Sequence, residues 1–297
     1  MQAGPGVQLC TNGKLYSSFL NNEIMLSNTT FLITGIADKH SLAMYVAKEI
    51  IRQGGKVVCT GLGVSPHHIG LSEKAKSFLT KNFEDFKQAV TEELGDSSVE
   101  ILDVTLDENI ASFARTLSDR NIKLNGLLHA IAMDKTIRNK EVKPLLDVTK
   151  EEFCDTMNVS AYSLIRLSHY LLKHKVLQPG ASICSLSYIA AAKVTFHPYR
   201  NISIAKAALE RITIELADEL GRAHKIRVNA IRFSPYMGSK AGNATLNEKD
   251  VNTSDRMSPL GNAKPMDLAY EIVHLFRPEL AITGEIRHVD GGYNITG

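Results

Sequence analysis

Alternation is the feature that most constrains this chain. Seven short apolar runs are separated by longer segments of helical period between residues 28 and 295. The runs are Thr30–Thr34, Lys56–Thr60, Val99–Val104, Asn125–Ala132, Ala181–Ser187, Ile226–Arg232 and a last one within Ala281–Val289. Runs such as Thr30–Thr34 are nearly continuous in apolar side chains, as strands buried on both faces must be. Strand and helix in strict alternation give a parallel sheet with helices packed on it. No linker interrupts the pattern, so residues 28–297 read as a single α/β domain and residues 1–27 as an N-terminal extension with no assigned role.

The first unit is the most informative. The strand Thr30–Thr34 runs into Gly35-Ile36-Ala37-Asp38-Lys39-His40-Ser41-Leu42-Ala43 and then an amphipathic segment to about Gln53. Strand, tight small-residue turn and helix are how a dinucleotide fold begins. Gly35 permits the sharp turn. Ser41 places a hydroxyl near a helix start, where unpaired backbone N–H groups favour a pyrophosphate. The predicted fold is therefore a Rossmann-type, doubly wound, seven-stranded parallel sheet with helices on both faces. After the second strand come Gly61, Leu62 and Gly63, with neither the acid that binds adenosine ribose hydroxyls nor an arginine for a ribose phosphate. His67, His68, Lys74 and Lys76 follow on a segment without assigned position. The residues leave NADH and NADPH both open, with a lean to NADH. Two helical runs are expected near Ser72–Thr80 and Phe83–Leu94, Asp107 is expected to cap the next helix, and Glu151–Lys175 reads as one helix. His129, at a strand end, reads as a packed histidine rather than a catalytic one.

The chemistry concentrates in Ser185-Leu186-Ser187-Tyr188 and Tyr199-Arg200-Asn201-Ile202-Ser203-Ile204-Ala205-Lys206. Ile202, Ala205, Leu209, Ile212 and Leu216 recur at helical spacing. On one helix, Tyr199 and Lys206 would share a face about two turns apart. The lysine would then hold a ribose hydroxyl and favour phenolate on the tyrosine, and the phenol would donate to a carbonyl gaining negative charge.

The Tyr-x6-Lys spacing, with Ile202 where the wider short-chain dehydrogenase superfamily keeps its tyrosine, resembles the enoyl-acyl-carrier-protein reductases, a divergent branch of that superfamily. Thr34-Gly35-Ile36-Ala37 followed by Ser41 and Ala43 is similar to that family's nucleotide loop, and Thr283-Gly284-Glu285 with Val289-Asp290-Gly291-Gly292 to the superfamily's terminal signature. The resemblance implies reduction of the carbon–carbon double bond of a trans-2-enoyl thioester by a nicotinamide cofactor. It assigns Tyr199, Lys206 and Tyr188 to catalysis. Gly35, Ala37, Ser41, Leu42, Asp103, Val104, Ala130, Ile131, Ala132, Lys206, Pro235 and Tyr236 fall to cofactor binding, Asp103 and Val104 at the adenine and Pro235 and Tyr236 at the nicotinamide. It also implies a lid over residues 238–258, an acyl carrier protein or coenzyme A thioester as substrate, and a homotetramer. The chain departs from the family at Ser234 and Gly238, where Gly and Thr are usual, and in having ten residues between Tyr188 and Tyr199 instead of nine. Asn158 matches a relay asparagine of the superfamily, although many enoyl reductases carry Asp there. The departures keep open two other readings: a short-chain reductase of ketones or specialised acyl chains, and a catalytically silent dinucleotide-binding homologue.

A formal net charge of +2 gives no argument for nucleic acid. No apolar run is long enough to cross a bilayer. Cys10, Cys59, Cys154 and Cys184 lack metal-ligand spacing, so no metal is expected and a reducing cytoplasm is the expected setting.

Overall fold

The structure is a computed structural model that describes residues 25–197 and 199–296. In chain order, β1 (Thr30–Ile33), α1 (Leu42–Arg52), β2 (Lys56–Gly61), α2 (Glu73–Leu94), β3 (Ser98–Ile101), α3 (Asp107–Asp119) and β4 (Leu124–His129) build the first half. A small hairpin, β5 (Ile137–Arg138) and β6 (Glu141–Val142), leads into α4 (Lys150–Met157), a π-helical turn over Asn158–Tyr162, and α5 (Ser163–Lys173). Then come β7 (Leu177–Ser187), α6 (Asn201–His224), β8 (Arg227–Phe233), α7 (Lys240–Thr245), α8 (Glu248–Met257), α9 (Pro265–Phe276), β9 (Ile286–Val289) and α10 (Tyr293–Thr296).

The main sheet has the order β3-β2-β1-β4-β7-β8-β9, and every pairing in it is parallel. Alternation along β1 explains the two layers of helix. Leu32 enters a core with residues of α3, α5 and α6, while Phe31 and Ile33 enter another with α1, α2 and α9. Phe31 stacks on Phe276 of α9 at 4.7 Å. Strand order reverses between β1 and β4. In open parallel sheets the crevice at the carboxyl ends of two such strands is where ligands bind.

Local differences from the sequence reading have physical causes. Residues 73–94 form one helix, because no breaker separates the two apolar stretches. The helix expected over 151–175 contains the π turn, which lets Ser160 Oγ accept from the N–H of Met133 at 3.0 Å and donate to the Met133 carbonyl. π turns of this kind often mark functional sites. Asp107 does not cap α3: Leu106 takes the cap position, and the Asp107 carboxylate pairs with the Arg166 guanidinium instead. Residues 238–258, the expected lid, hold two short helices. Leu26, placed by its sequence in the extension, is fully buried and its N–H donates to the Gln53 carbonyl at 2.9 Å; most of that extension, with Cys10, lies outside the described residues. Cys59 and Cys184 are buried free thiols, and burial pushes the Cys59 thiol up to about 12. No helix among the described residues is long and apolar enough to cross a membrane.

Candidate active site

The crevice opens where β1 and β4 end. Gly35 has φ of +81°, and a Cβ there would lie 2.1 Å from the Ala130 carbonyl oxygen. Only glycine allows that turn and that approach together. Ala130 and Ile131 are half-buried beside it, and Ala132 is exposed toward a cavity. The following loop is held from inside. Ser41 Oγ accepts from the N–H groups of Ala37 and Asp38, both at 3.0 Å, and lies 3.2 Å from Asp38 Oδ1. Ser41 thus shapes the loop, and the first N–H groups of α1, which have no intrahelical acceptor, remain for an anion. Glycine turn, small neighbours and helix N-terminus fit the pyrophosphate of a dinucleotide.

The far end of the crevice differs from a simple ribose site. Asp103 and Val104 lie just past β3, and Asp103 is occupied: Oδ1 accepts from the N–H and hydroxyl of Thr105, and Oδ2 lies 2.9 Å from His68 Nε2. Because the Ser65 N–H donates to His68 Nδ1, the Nε2 of that ring carries the proton toward Asp103. Nothing in the spacing of His68 and Asp103, 35 residues apart, signals that the ring folds back onto the carboxylate.

A cavity of about 270 Å³ gathers the other predicted residues: Leu42, Ala132, Tyr188, Tyr199, Lys206, Pro235 and Tyr236 all line it. Gly35, Ala37, Ser41, Asp103, Val104, Ala130 and Ile131 lie outside it, in the loop and strand ends of the crevice. The rings of Tyr188 and Tyr199 meet edge to face at 5.1 Å, so the ten-residue connection still delivers both to one place. Tyr199 is not on the helix with Lys206, however. Helix α6 begins at Asn201, and Arg200 in between has φ 49° and ψ −104°. That turn, not a shared helical face, brings phenol and ammonium to one cavity.

Electrostatics also differ from the expectation. Burial, then Asp250 and Tyr293, push the Tyr199 phenol above its ordinary range; Lys206 does not favour phenolate there. Burial also raises the Tyr188 phenol, reinforced by Tyr199 and Tyr293. Both stay protonated as donors. Lys206 Nζ donates to the Leu186 carbonyl at 2.7 Å, and burial pushes its pKa down to about 8 against the opposing pull of Glu210. Glu210, one turn along α6 and unnoticed in the sequence, is buried; it accepts from Ser187 Oγ at 2.6 Å and from both arms of Arg232. A charged residue four after the lysine on an apolar helix was the available signal. His129 is packed: it is fully buried, its Nε2 lies 2.7 Å from Ser163 Oγ, and burial followed by the Lys206 charge pushes it down to about 3. Asn158 is half-buried, whereas Asn201 carries the buried amide, donating to Thr156 Oγ at 3.0 Å and to Asp134.

Past β8, a Cβ at Gly238 would lie 2.2 Å from the Tyr236 hydroxyl, so a side chain at 238 would have to displace the Tyr236 ring. Tyr236 donates to the His40 carbonyl at 3.1 Å, and Asp38 Oδ2 accepts from the Lys240 N–H at 2.6 Å, tying this segment to the β1–α1 loop. Ser234 Oγ accepts from the Ala263 N–H, and Ser239 Oγ caps α7.

The chain matches the family model of the enoyl-(acyl carrier protein) reductases over residues 35–294. It is 32% identical to the NADH enoyl-acyl-carrier-protein reductase FabI of Aquifex aeolicus, across 92% of this chain and 94% of that protein. The crystal structure of the Aquifex aeolicus reductase matches with a TM-score of 0.78 at 30% identity, covering 92% of this chain and 99% of that one. The NADH complex of FabI from Alistipes finegoldii matches with a TM-score of 0.79 at 26% identity, covering 92% and 90%. With crevice, tyrosines and lysine arranged as above, the chain belongs to the enoyl-(acyl carrier protein) reductase family.

Proposed function

We propose that this protein reduces the double bond of a trans-2-enoyl thioester, on acyl carrier protein or coenzyme A, within fatty-acid synthesis. The observation that carries this reading is the single cavity in which Tyr188, Tyr199 and Lys206 meet beside Pro235 and Tyr236, at the mouth of the dinucleotide crevice. NADH, when bound, supplies the hydride to the β-carbon. Gly35, Ala37 and the α1 N-terminus hold its pyrophosphate; Ala130, Ile131 and Ala132 let it approach the sheet; Pro235 and Tyr236 flank its nicotinamide. Lys206 would hold the ribose hydroxyls of the cofactor. As the thioester carbonyl becomes an enolate, Tyr199, kept as a neutral phenol by burial, would donate a hydrogen bond to the oxygen, with Tyr188 bordering the same atom; a proton from solvent then adds to the α-carbon and restores the thioester carbonyl. The apolar wall of Met133, Ile137, Phe233 and Leu246 takes the acyl chain. Residues 238–258 act as its lid within a single catalytic domain, and exposed Lys240, Lys249 and Arg256 face an acidic carrier. The working form is a cytoplasmic homotetramer, and a monomeric mass by light scattering at micromolar concentration would remove that part of the reading.

NADH is preferred because no cationic side chain stands at Gly61–Gly63 and His68 is already engaged with Asp103. The test is loss of the near-ultraviolet absorbance of NADH with crotonyl thioester. Turnover with ketones alone, or cofactor binding without turnover, overturns the reading; a tenfold advantage for NADPH, about 1.4 kcal/mol, overturns the cofactor preference.

A further inference from the structure

Helix α8 is polar, and Ser254 is its one buried residue, so apolar burial contributes little to holding it over the cavity. Its middle is tied by Ser254 and the Val251 carbonyl to Asn262, and its C-terminus by the Met257 carbonyl to Thr296. Near its N-terminus the tie is Asp250. That residue's N–H is capped by Asn247 Oδ1 at 2.9 Å, and its Oδ2 lies 2.9 Å from His197 Nδ1. The two side chains are only 9% and 10% exposed. Oδ2 accepts no aligned hydrogen bond and His197 Nε2 has no partner, so the 2.9 Å approach of Nδ1 is what links the two side chains. A buried carboxylate is costly without such a counterpart.

His197 also touches the chemistry. Two residues before Tyr199, it sets its ring edge-on to the phenol at 4.8 Å, with the planes at 77°. Its own carbonyl accepts from Thr195 Oγ at 2.6 Å, which fixes the loop. We propose that His197 and Asp250 are a positioning pair: Asp250 seats α8 through His197, and His197 holds the Tyr199 ring, so lid seating and tyrosine alignment are one event. The assignment rests on the reading of this cavity as the enoyl-thioester site.

Asp250→Ala, and Asp250→Asn as a size-preserving control, raise KM for crotonyl thioester about tenfold while NADH affinity stays within about twofold. The same variants speed tryptic cleavage after Arg256 by about tenfold, because the seat of α8 opens more often. His197→Ala does this and also lowers kcat about tenfold; His197→Phe, which restores a ring edge but no ring nitrogen for Asp250, recovers kcat without recovering KM or protease resistance. Unchanged KM and cleavage in both Asp250 variants overturn the pair, as does recovery of protease resistance by His197→Phe. If the parent chain fails to reduce the thioester, the functional reading fails, and the cleavage arm still decides whether Asp250 and His197 seat the helix.

Discussion

Lys206 Nζ donates to the carbonyl oxygen of Leu186 across 2.7 Å, joining helix α6 to the strand end that delivers Tyr188. The lysine is therefore aimed from the sheet side, whereas Tyr199 enters from the turn before the helix. Their tasks separate accordingly. Lys206→Ala should weaken NADH binding by about tenfold, the loss of a charge-assisted bond, as well as slow turnover. Tyr199→Phe should leave NADH affinity nearly intact and cost about a hundredfold in rate. Cofactor titration by fluorescence beside steady-state rates measures both; the reverse pattern means the roles are exchanged.

Lys206 makes stability and cofactor binding respond to pH in opposite directions. Its folded pKa is about 8 against an ordinary 10.5, so between these values the unfolded chain binds more protons. Stability of the free protein therefore rises with pH across that window, by up to about 1.4 kcal/mol per pH unit relative to Lys206→Met. NADH affinity should fall above pH 8, since the ammonium is being lost. Because Glu210 raises this pKa, Glu210→Gln should move both effects to lower pH. Urea unfolding and NADH titration at a series of pH values check the signs.

Gly35→Ala should destabilise by about 2 kcal/mol or more, because a side chain is disfavoured at φ +81° and the new methyl meets the Ala130 carbonyl. NADH binding should fall with it. A urea midpoint equal to the parent's would mean the β1–β4 crevice relaxes freely.

Arg200 sits at φ 49° and ψ −104°, near the first central position of a type II′ turn, where glycine is favoured. Arg200→Gly should stabilise by about 1 kcal/mol by removing that strain, net of the extra freedom glycine has when unfolded. Differential scanning calorimetry reads the change. A lower melting temperature would show that the Arg200 side chain makes a contact outweighing the strain.

Arg232 and Glu210 are both largely buried and bonded at two points. Arg232→Ala leaves that carboxylate without its cation, with only the Ser187 hydroxyl still donating to it, and should cost about 3 kcal/mol. Replacing both, as Arg232→Met with Glu210→Met, should recover much of it in a double-mutant cycle by urea unfolding.

The parallel sheet, its seven strands and the place of the crevice were legible in the order of residues alone. Apolar period and glycine turns are local properties that survive translation into structure, as Thr30–Gly35 illustrates. Spacing along one segment pointed to Tyr199 and Lys206, and the family resemblance added Tyr188; all three line one cavity. How those groups are aimed and charged depended on packing. The positive φ of Arg200 took Tyr199 off the helix, burial rather than Lys206 set its protonation, and the Leu186 carbonyl claimed the ammonium. Glu210 with Arg232, His68 with Asp103, and His197 with Asp250 join residues 22, 35 and 53 positions apart. Such pairs leave no period in the chain. Their energies depend on distance and burial, and both exist only once the strands and helices have packed.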